Sequence, residues 1–575
     1  MASLLPNPVR WKVSTTGRLL VFSVLIGVVG GLGAQAFIWL LEKAHDLLLV
    51  GLAHYSPPGI PSEGGNPNEV VGRFGLWLIP LATTLGGFLS GWIVFRFAPE
   101  AEGHGTDGAV KAYHHHHGEI RARVPLIKAL TSAITIGSGG SAGREGPGAQ
   151  ISAGFGSVLA KLVGCSNDER RILMLAGVAA GLSAMFRSPL GAAVLAVEVL
   201  YGSMQFEAGA LIYTMIAAVV GYAVNGAFVG YEPIFDVDPG LRFHGGQELA
   251  WYALLGVVTG AAASVLPYVF YRSRELFHKL PGPRALQPTL GGLLVGLLGV
   301  AFPQVLAGGY GWMQRAIDGS LPLWLLLVLP IAKTIAMSFT VSSGGSGGVF
   351  APSLYVGTCL GAALATAVNL ISPDTSLSVA AFAVVGMAAL FSGAARTPMA
   401  TMFMVVEMTG GYGLMVPAML AVTVSYLVQV RLTRHARFPS LYEAQVPSLG
   451  DSPVHHDEYV HKVVELIHAG RARMPREATP VRLEELLRMG TSIPVEGTGR
   501  SIVLTEVREG APAAGIPLKE RPLGGDISIL SILRRDRVVI PGPDVAIEEG
   551  DRIIALLTAD AYDEASDSLE LLGPV

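Results

Sequence analysis

The residue in this chain with the most chemistry to offer is Glu145, a carboxylate set among glycines. It stands in the run Ser138-Gly139-Gly140-Ser141-Ala142-Gly143-Arg144-Glu145-Gly146-Pro147. Glycines let backbone N–H groups approach a ligand closely, and Pro147 sits where a helix can begin. Free N–H groups at a helix start bind anions. No Lys-Ser/Thr pair closes the run and no strand precedes it, which argues against a nucleotide-binding loop. A small dehydrated anion suits it better than a polyphosphate. A carboxylate amid apolar segments is costly and marks a functional site by default. If Glu145 projects into the cradle, its charged form competes with the anion for the same amides, and its protonation or displacement opens the path.

The run returns 205 positions later as Ser343-Gly344-Gly345-Ser346-Gly347-Gly348-Val349-Phe350-Ala351-Pro352. At the same shift Pro125, Lys128, Thr135 and Gly156 pair with Pro330, Lys333, Thr340 and Gly361. With four residues more, Gly177, Ser183, Arg187, Pro189, Val197, Glu198 and Gly202 pair with Gly386, Ser392, Arg396, Pro398, Val406, Glu407 and Gly411. An internal duplication accounts for so many identities. In an apolar chain, paired Gly/Pro-interrupted segments in two halves point to a transporter site where broken helices aim positive N-terminal ends at an anion.

At these residues the chain resembles a known family. Gly143 to Pro147 and Gly348 to Pro352 look like the two signature loops of the CLC chloride channels and proton-coupled chloride antiporters, and Tyr442 resembles their inner-mouth tyrosine. The resemblance covers roughly Arg18 to Glu443. It implies a homodimer with one chloride path per subunit, Glu145 as gate, and an anion held by His104, Gly105, Arg144, Glu145, Gly146, Val349, Phe350 and Tyr442. Two departures matter. His104 occupies a place where many members have serine, and Asp107 one where they have proline. His104 either donates a ring N–H to the anion, making the site pH-sensitive, or points away and leaves coordination to backbone amides. The family's antiporters carry two consecutive glutamates where this chain has Glu198 and Val199, so the inward half of a proton relay lacks its carrier. A helix-capping or packing role fits Glu198 and its echo Glu407 better than proton transfer.

The elements that must position these residues lie in a membrane. Of 575 residues 51% are hydrophobic and 15% charged, with mean hydropathy +0.50, too apolar for an ordinary soluble protein. The expected fold is an all-α polytopic membrane domain, a duplicated inverted repeat with broken helices, over residues 18–443 (repeats about 75–230 and 286–432). A cytoplasmic N-terminal segment, 1–17, precedes it. Basic residues before the first span place that end in the cytoplasm; with Arg431 to Arg437 as a basic flank, the C-terminus is also cytoplasmic, and the protein is a multi-pass cell-membrane protein. Spans are expected at Leu19–Leu47, Gly75–Val94, Ala208–Val229, Leu249–Tyr271, Leu286–Phe302, Leu321–Val341, Ser353–Leu370 and Leu414–Val430. Shorter helical pieces follow the signature loops (Gly148–Val163) or break around Arg187 to Pro189. Gly51–Arg73, Cys165–Arg171 and Gly308–Trp312 read as loops or connections, and Arg272–Arg284 as a basic connector. The run His114 to His117 reads as a solvated loop rather than a metal site. The two cysteines, Cys165 and Cys359, imply no disulfide framework and no thiolate metal site.

From Arg437 onward there are 15 basic and 23 acidic residues, so the tail is a separate acidic unit and nucleic-acid binding has no support. Residues 444–500 read as a helical linker. Residues 501–575 alternate as strands at Ile502–Leu504, Ile527–Leu530, Val538–Ile540 and Arg552–Leu556, an α+β domain closed by a helix at Ala559–Leu572. This part resembles the TrkA C-terminal regulatory domain. That implies a dimerising module sensing a small ligand, or a dimer-stabilising appendage that binds nothing. The expected function is a passive, gated chloride channel modulated by this tail and needing no cofactor. The alternatives are a proton-coupled antiporter of chloride or another anion, and a membrane anion sensor. No nucleophile, base and metal constellation suggests an enzyme.

Overall fold

The computed structural model describes residues 15–448 except 239 and 244, then 452–454, 493–495, 500–506, 515, 517–518, 527–534, 537–539, 545–548 and 550–558. The chain divides into two compact units, Met1–Ser452 and Pro453–Val575. The helices of the first unit are α1 (Thr15–His45), α2 (Ile79–Phe97), α3 (Thr106–His115), α4 (Arg123–Gly137), α5 (Glu145–Leu162), α6 (Asn167–Phe186), α7 (Pro189–Glu198) and α8 (Ala208–Val229), followed by α9 (Glu248–His278), α10 (Gln287–Ala301), α11 (Tyr310–Ile317), α12 (Leu323–Val341), α13 (Phe350–Ile371), α14 (Val379–Ala395), α15 (Pro398–Thr409) and α16 (Met415–Leu432). Among the described residues eight helices are long and apolar enough to cross a bilayer: α1, α2, α8, α9, α10, α12, α13 and α16. Their outward faces carry large exposed apolar side chains such as Trp39, Ile212, Val219, Leu297 and Ile331, as helices in contact with lipid require. The protein is a multi-pass membrane protein.

The duplication is visible atom by atom. Helices α6 and α14 both stop at an arginine in the left-handed region, Arg187 (φ 51) and Arg396 (φ 58). The next residues, Ser188 and Thr397, leave helical geometry at φ −133 and −124 because each precedes a proline. The broken ends are then capped across the repeat. The Glu198 carboxylate accepts from the N–H groups of Met399 (3.2 Å) and Ala400 (2.7 Å) at the start of α15. Glu407 accepts from Leu190 (3.2 Å) and Gly191 (3.0 Å) at the start of α7, and from the Ser188 hydroxyl. Each carboxylate thus satisfies orphan donors of a helix first turn in the other half. Glu407→Ala should strand these donors, at about 1–3 kcal/mol, and lower the thermal midpoint of detergent-solubilised protein, with Glu407→Gln much milder.

Glycines set the helix spacing. A Cβ on Gly156 would lie 2.1 Å from the Leu173 carbonyl oxygen, and one on its counterpart Gly361 2.0 Å from that of Phe382. The pairs α5/α6 and α13/α14 therefore pack backbone to backbone, as small residues permit in membranes. Lys128 and Lys333 are likewise equivalent: the first donates to the carbonyls of Ala101 and Gly103, the second to those of Val305 and Ala307.

Several expectations are corrected. Helix α5 begins at Glu145, three residues before the expected start, because first-turn N–H groups need no partner in the helix. Cys165–Arg171 is not a loop throughout: Ser166 and Glu169 form a capping box that starts α6 at Asn167. Within Gly308–Trp312, Gly309 (φ 80) caps α11 from Tyr310. Helix α9 continues through the basic connector to His278. The 51–73 loop contains a two-stranded antiparallel ladder, β1 (Tyr55–Ser56) with β2 (Val70–Val71). The four histidines are not all in a solvated loop. His114 and His115 end α3, and His114 is buried with Nδ1 2.9 Å from the Ser452 hydroxyl and Nε2 3.0 Å from the Leu200 carbonyl. Its helical phase turns it inward while the next three remain outside.

In the second unit, strands β3 (Ile493–Val495), β4 (Arg500–Glu506), β5 (Ile527–Arg534), β6 (Arg537–Val539) and β7 (Arg552–Thr558) form an antiparallel sheet in the order β3-β4-β7-β5-β6. All four expected strands are present and β3 is additional. Arg534 fastens the sheet to the following turn through Asp551 and Glu548. The helices expected at Tyr459–Ala472, Leu483–Met489 and Ala559–Leu572 lie outside the described residues.

Candidate functional site

Three glycine-rich loops meet in the interior of the first unit. Gly143 and Gly348 exchange two backbone hydrogen bonds of 2.7 Å in an antiparallel bridge, as expected of two loops related by an in-plane two-fold axis. Gly347 donates to the Gly103 carbonyl (3.2 Å), and the hydroxyls of Ser132 and Ser346 lie 2.8 Å apart. The loop of Gly103 to Gly105 is thereby locked against the second signature loop. The glycines are required: a Cβ on Gly105 would sit 2.5 Å from the Gly146 carbonyl oxygen, and one on Gly146 2.0 Å from that of His104.

The junction brings the starts of α5 and α13 together, with Glu145 and Phe350 as their first residues. Glu145 is completely buried, and among the described residues neither carboxylate oxygen has a hydrogen-bond partner. A Cβ on Gly143 would meet Glu145 Oε2 at 2.2 Å and the Ala351 nitrogen at 3.1 Å, so the carboxylate lies across the N-terminal end of α13. It rests where an anion would meet the same positive helix ends. Val349 and Phe350 are buried, with the Phe350 ring 4.5 Å from Phe186 and 4.0 Å from Phe391. Their side chains pack the core, and their backbone amides belong to the first turn of α13 at the junction.

At the other end of α3's loop, the buried His104 ring lies 5.4 Å from that of Tyr442 and 6.0 Å from Phe270. His104 Nδ1 is buried without a hydrogen-bond partner among the described residues. Tyr442 is pinned by its neighbours in sequence: Leu441 N–H donates to the Ala394 carbonyl (2.9 Å), Tyr271 Oη to the Leu441 carbonyl (2.9 Å), and Ala444 N–H to Asp107 (2.7 Å). Asp107 thus has a use in this chain that a proline could not serve. Gln445 donates to the carbonyls of Val199 and Ala395, both at 3.0 Å, and Val199 itself is buried.

Arg144 is arranged differently from the other candidates. Its guanidinium turns to the side of the membrane reached after α1 and forms a two-pronged ion pair with Glu63, Nη1 to Oε2 at 3.1 Å and Nη2 to Oε1. It also lies 5.0 Å from the Tyr310 ring centroid. Sequence reasoning missed Glu63. It stands in a Pro- and Gly-rich connection 81 positions before Arg144, and nothing local signals that partner. The structure therefore gathers His104, Gly105, Glu145, Gly146, Val349, Phe350 and Tyr442 around one junction, and places the Arg144 side chain at its outer edge.

A model of the family described as voltage-gated chloride channel matches residues 86–430, more than half the chain. The chain belongs to the CLC family. A TrkA-C domain matches residues 502–570, in agreement with the sheet of the second unit. Among relatives of this CLC protein, a ClcB-like chloride channel protein of Ralstonia nicotianae is 31% identical over 375 residues, 64% of this chain and 85% of the relative. An H(+)/Cl(-) exchange transporter ClcA of Yersinia pestis bv. Antiqua is 29% identical over 415 residues, 69% of this chain and 82% of the relative. The fold is shared with solved structures. A slow cyanobacterial Cl-/H+ antiporter superposes with a TM-score of 0.64 at 21% identity, covering 74% of this chain and 96% of that one. A CLC-type fluoride/proton antiporter gives 0.60 at 20% identity, covering 75% and 98%. The CLC match spans both signature loops, Glu145 and Val199, and stops before Tyr442.

Proposed function

We propose that this CLC protein moves chloride across a membrane in exchange for protons. The observation that carries the reading is Glu145, a fully buried carboxylate across the start of α13 with no hydrogen-bond partner among the described residues. As an anion it holds the place of chloride at the amides of α5 and α13; as a neutral acid it gives up that place. One group therefore alternates between proton and halide, which is the chemical requirement for exchange. Relatives named as H(+)/Cl(-) exchangers and the likeness in fold to antiporters support this over the passive channel expected from sequence.

In the proposed cycle, chloride approaches from the Tyr442 end, past His104, whose unpartnered Nδ1 lies beside Tyr442 and supplies an N–H when that tautomer is protonated. It then meets the main-chain donors of Gly146, Val349 and Phe350. Arrival of the halide displaces the carboxylate from those amides, and the displaced group takes a proton. The termini are cytoplasmic, the protein is a homodimer with one path per subunit, and the TrkA-C domain modulates transport with or without a small ligand. No cofactor takes part.

The second reading, a gated chloride channel, is favoured by Val199, which offers no proton carrier on the inner side. Proteoliposomes with opposed chloride and pH gradients separate the two. An inward chloride gradient should drive protons uphill in the opposite direction in the wild-type protein. Chloride flux with no uphill proton movement would establish the channel and overturn the antiporter.

A further inference from the structure

The outer turn that holds Arg144 is built too firmly to be a passive connection. It comprises Pro61–Glu63, closed by Gly64 at φ 75. Arg187, at the end of α6, donates to the Ser62 carbonyl (3.1 Å) and to that of Glu232 (2.7 Å), while the Ser62 hydroxyl donates to the Ile234 carbonyl (2.6 Å). Gly59 donates to the Asn66 carbonyl (2.7 Å), closing the loop behind the turn. These ties present Glu63 at one place, over Arg144.

The consequence falls on the gate. Arg144 commits both terminal nitrogens to Glu63, and its side chain is only 9% exposed while that of Glu63 is 28% exposed. The remaining donor, Nε, is buried without a hydrogen-bond partner among the described residues and lies 4.0 Å from Glu145 Oε1. The guanidinium is therefore shared between two carboxylates, with hydrogen bonds to the outer and field alone on the inner. Resting on the reading of Glu145 as the proton-exchanging gate, we infer that Glu63 is a positioning residue for that gate: by engaging Arg144 it keeps the guanidinium from fixing Glu145 in its ionised, path-blocking state.

The sign follows from charge. An unneutralised guanidinium about 4 Å from a carboxylate favours the ionised form and lowers the proton affinity, while a compensated one does so less. Burial works to raise the proton affinity of Glu63, but the charge and hydrogen bonds of Arg144 outweigh it and hold its carboxyl below the usual range. Glu63 thus stays charged as the gate titrates. The other groups facing this cluster are Glu42 on α1, Arg187 at the end of α6 and Tyr310 on α11, with Tyr442 within electrostatic reach of Glu145. Room for Glu63 to move exists: a cavity of about 310 Å³ lies behind the turn, lined by Ile38, Glu42, Glu63, Arg187, Asn225 and Phe228 among others.

The test is the pH dependence of chloride flux in the full-length protein reconstituted in liposomes. Glu63→Gln should shift the acid midpoint of flux downward by about one unit, while Glu63→Asp restores it toward wild type. In an Arg144→Gln background the same Glu63→Gln change should have a much smaller effect on the midpoint, because only the direct field of the lost carboxylate remains. A merely structural role would lower flux or yield without moving the midpoint. An unchanged or raised midpoint in Glu63→Gln, or an equal downward shift without Arg144, overturns the inference. The gate reading is checked separately: if wild-type pH dependence survives Glu145→Gln, then both fall; if Glu145→Gln removes it and Glu63→Gln leaves it in place, only the role of Glu63 falls.

Discussion

Glu145→Gln should abolish uphill proton movement while chloride continues to flow. Glutamine is nearly isosteric and fits the same completely buried place between α5 and α13, so the helix starts and their amides keep their arrangement. It cannot release or take a proton, and its neutral amide contests the halide weakly. The coupled proton flux should fall by about 100-fold or more, the scale on which a positioned acid–base group acts. Chloride flux should at the same time lose its dependence on pH, because the group that changes charge is gone. Parallel recordings of chloride efflux and luminal pH in proteoliposomes check both parts. Persistence of proton pumping in the variant would remove Glu145 from the exchange.

Gly146→Ala should eliminate transport for a different reason. Its Cβ would lie 2.0 Å from the His104 carbonyl oxygen and 3.0 Å from the Gly348 Cα. Both neighbours are backbone, so no side chain can rotate away. Overpacking a well-filled interior costs about 1–3 kcal/mol even where side chains yield, and here the first turn of α5 must separate from the other two loops. Halide binding by calorimetry and the thermal midpoint should both drop, and flux should fall at least tenfold. Gly164→Ala provides the contrast, since no atom lies within 4 Å of its Cβ and only left-handed backbone strain (φ 70) remains, about 1–2 kcal/mol. Equal losses in the two variants would show that the effect is general destabilisation and not closure of the junction.

The reach and the blindness of the sequence are both seen in the paired residues. Glu198 and Glu407 were legible as a repeat, and a capping role followed from their recurrence, yet only the fold shows that each caps the half to which it does not belong. His104 and Asp107 stood out as departures from a pattern. That Asp107 holds the Ala444 amide beside Tyr442 depends on a contact across 337 positions, which no local spacing encodes. The histidine run misled for a related reason: composition says solvated, but helical phase buries His114 alone.

By itself the sequence determined the membrane class, the duplication, the glycine-rich helix-starting character of the two loops and the singular position of Glu145. Those follow from composition, periodicity and residue chemistry, which act locally. Tertiary structure alone decided the convergence of the three loops, the burial of the Glu145 carboxylate across the start of α13, and the hold of Glu63 on Arg144. These depend on which distant backbones approach within hydrogen-bonding distance, and packing of the whole repeat pair sets that approach.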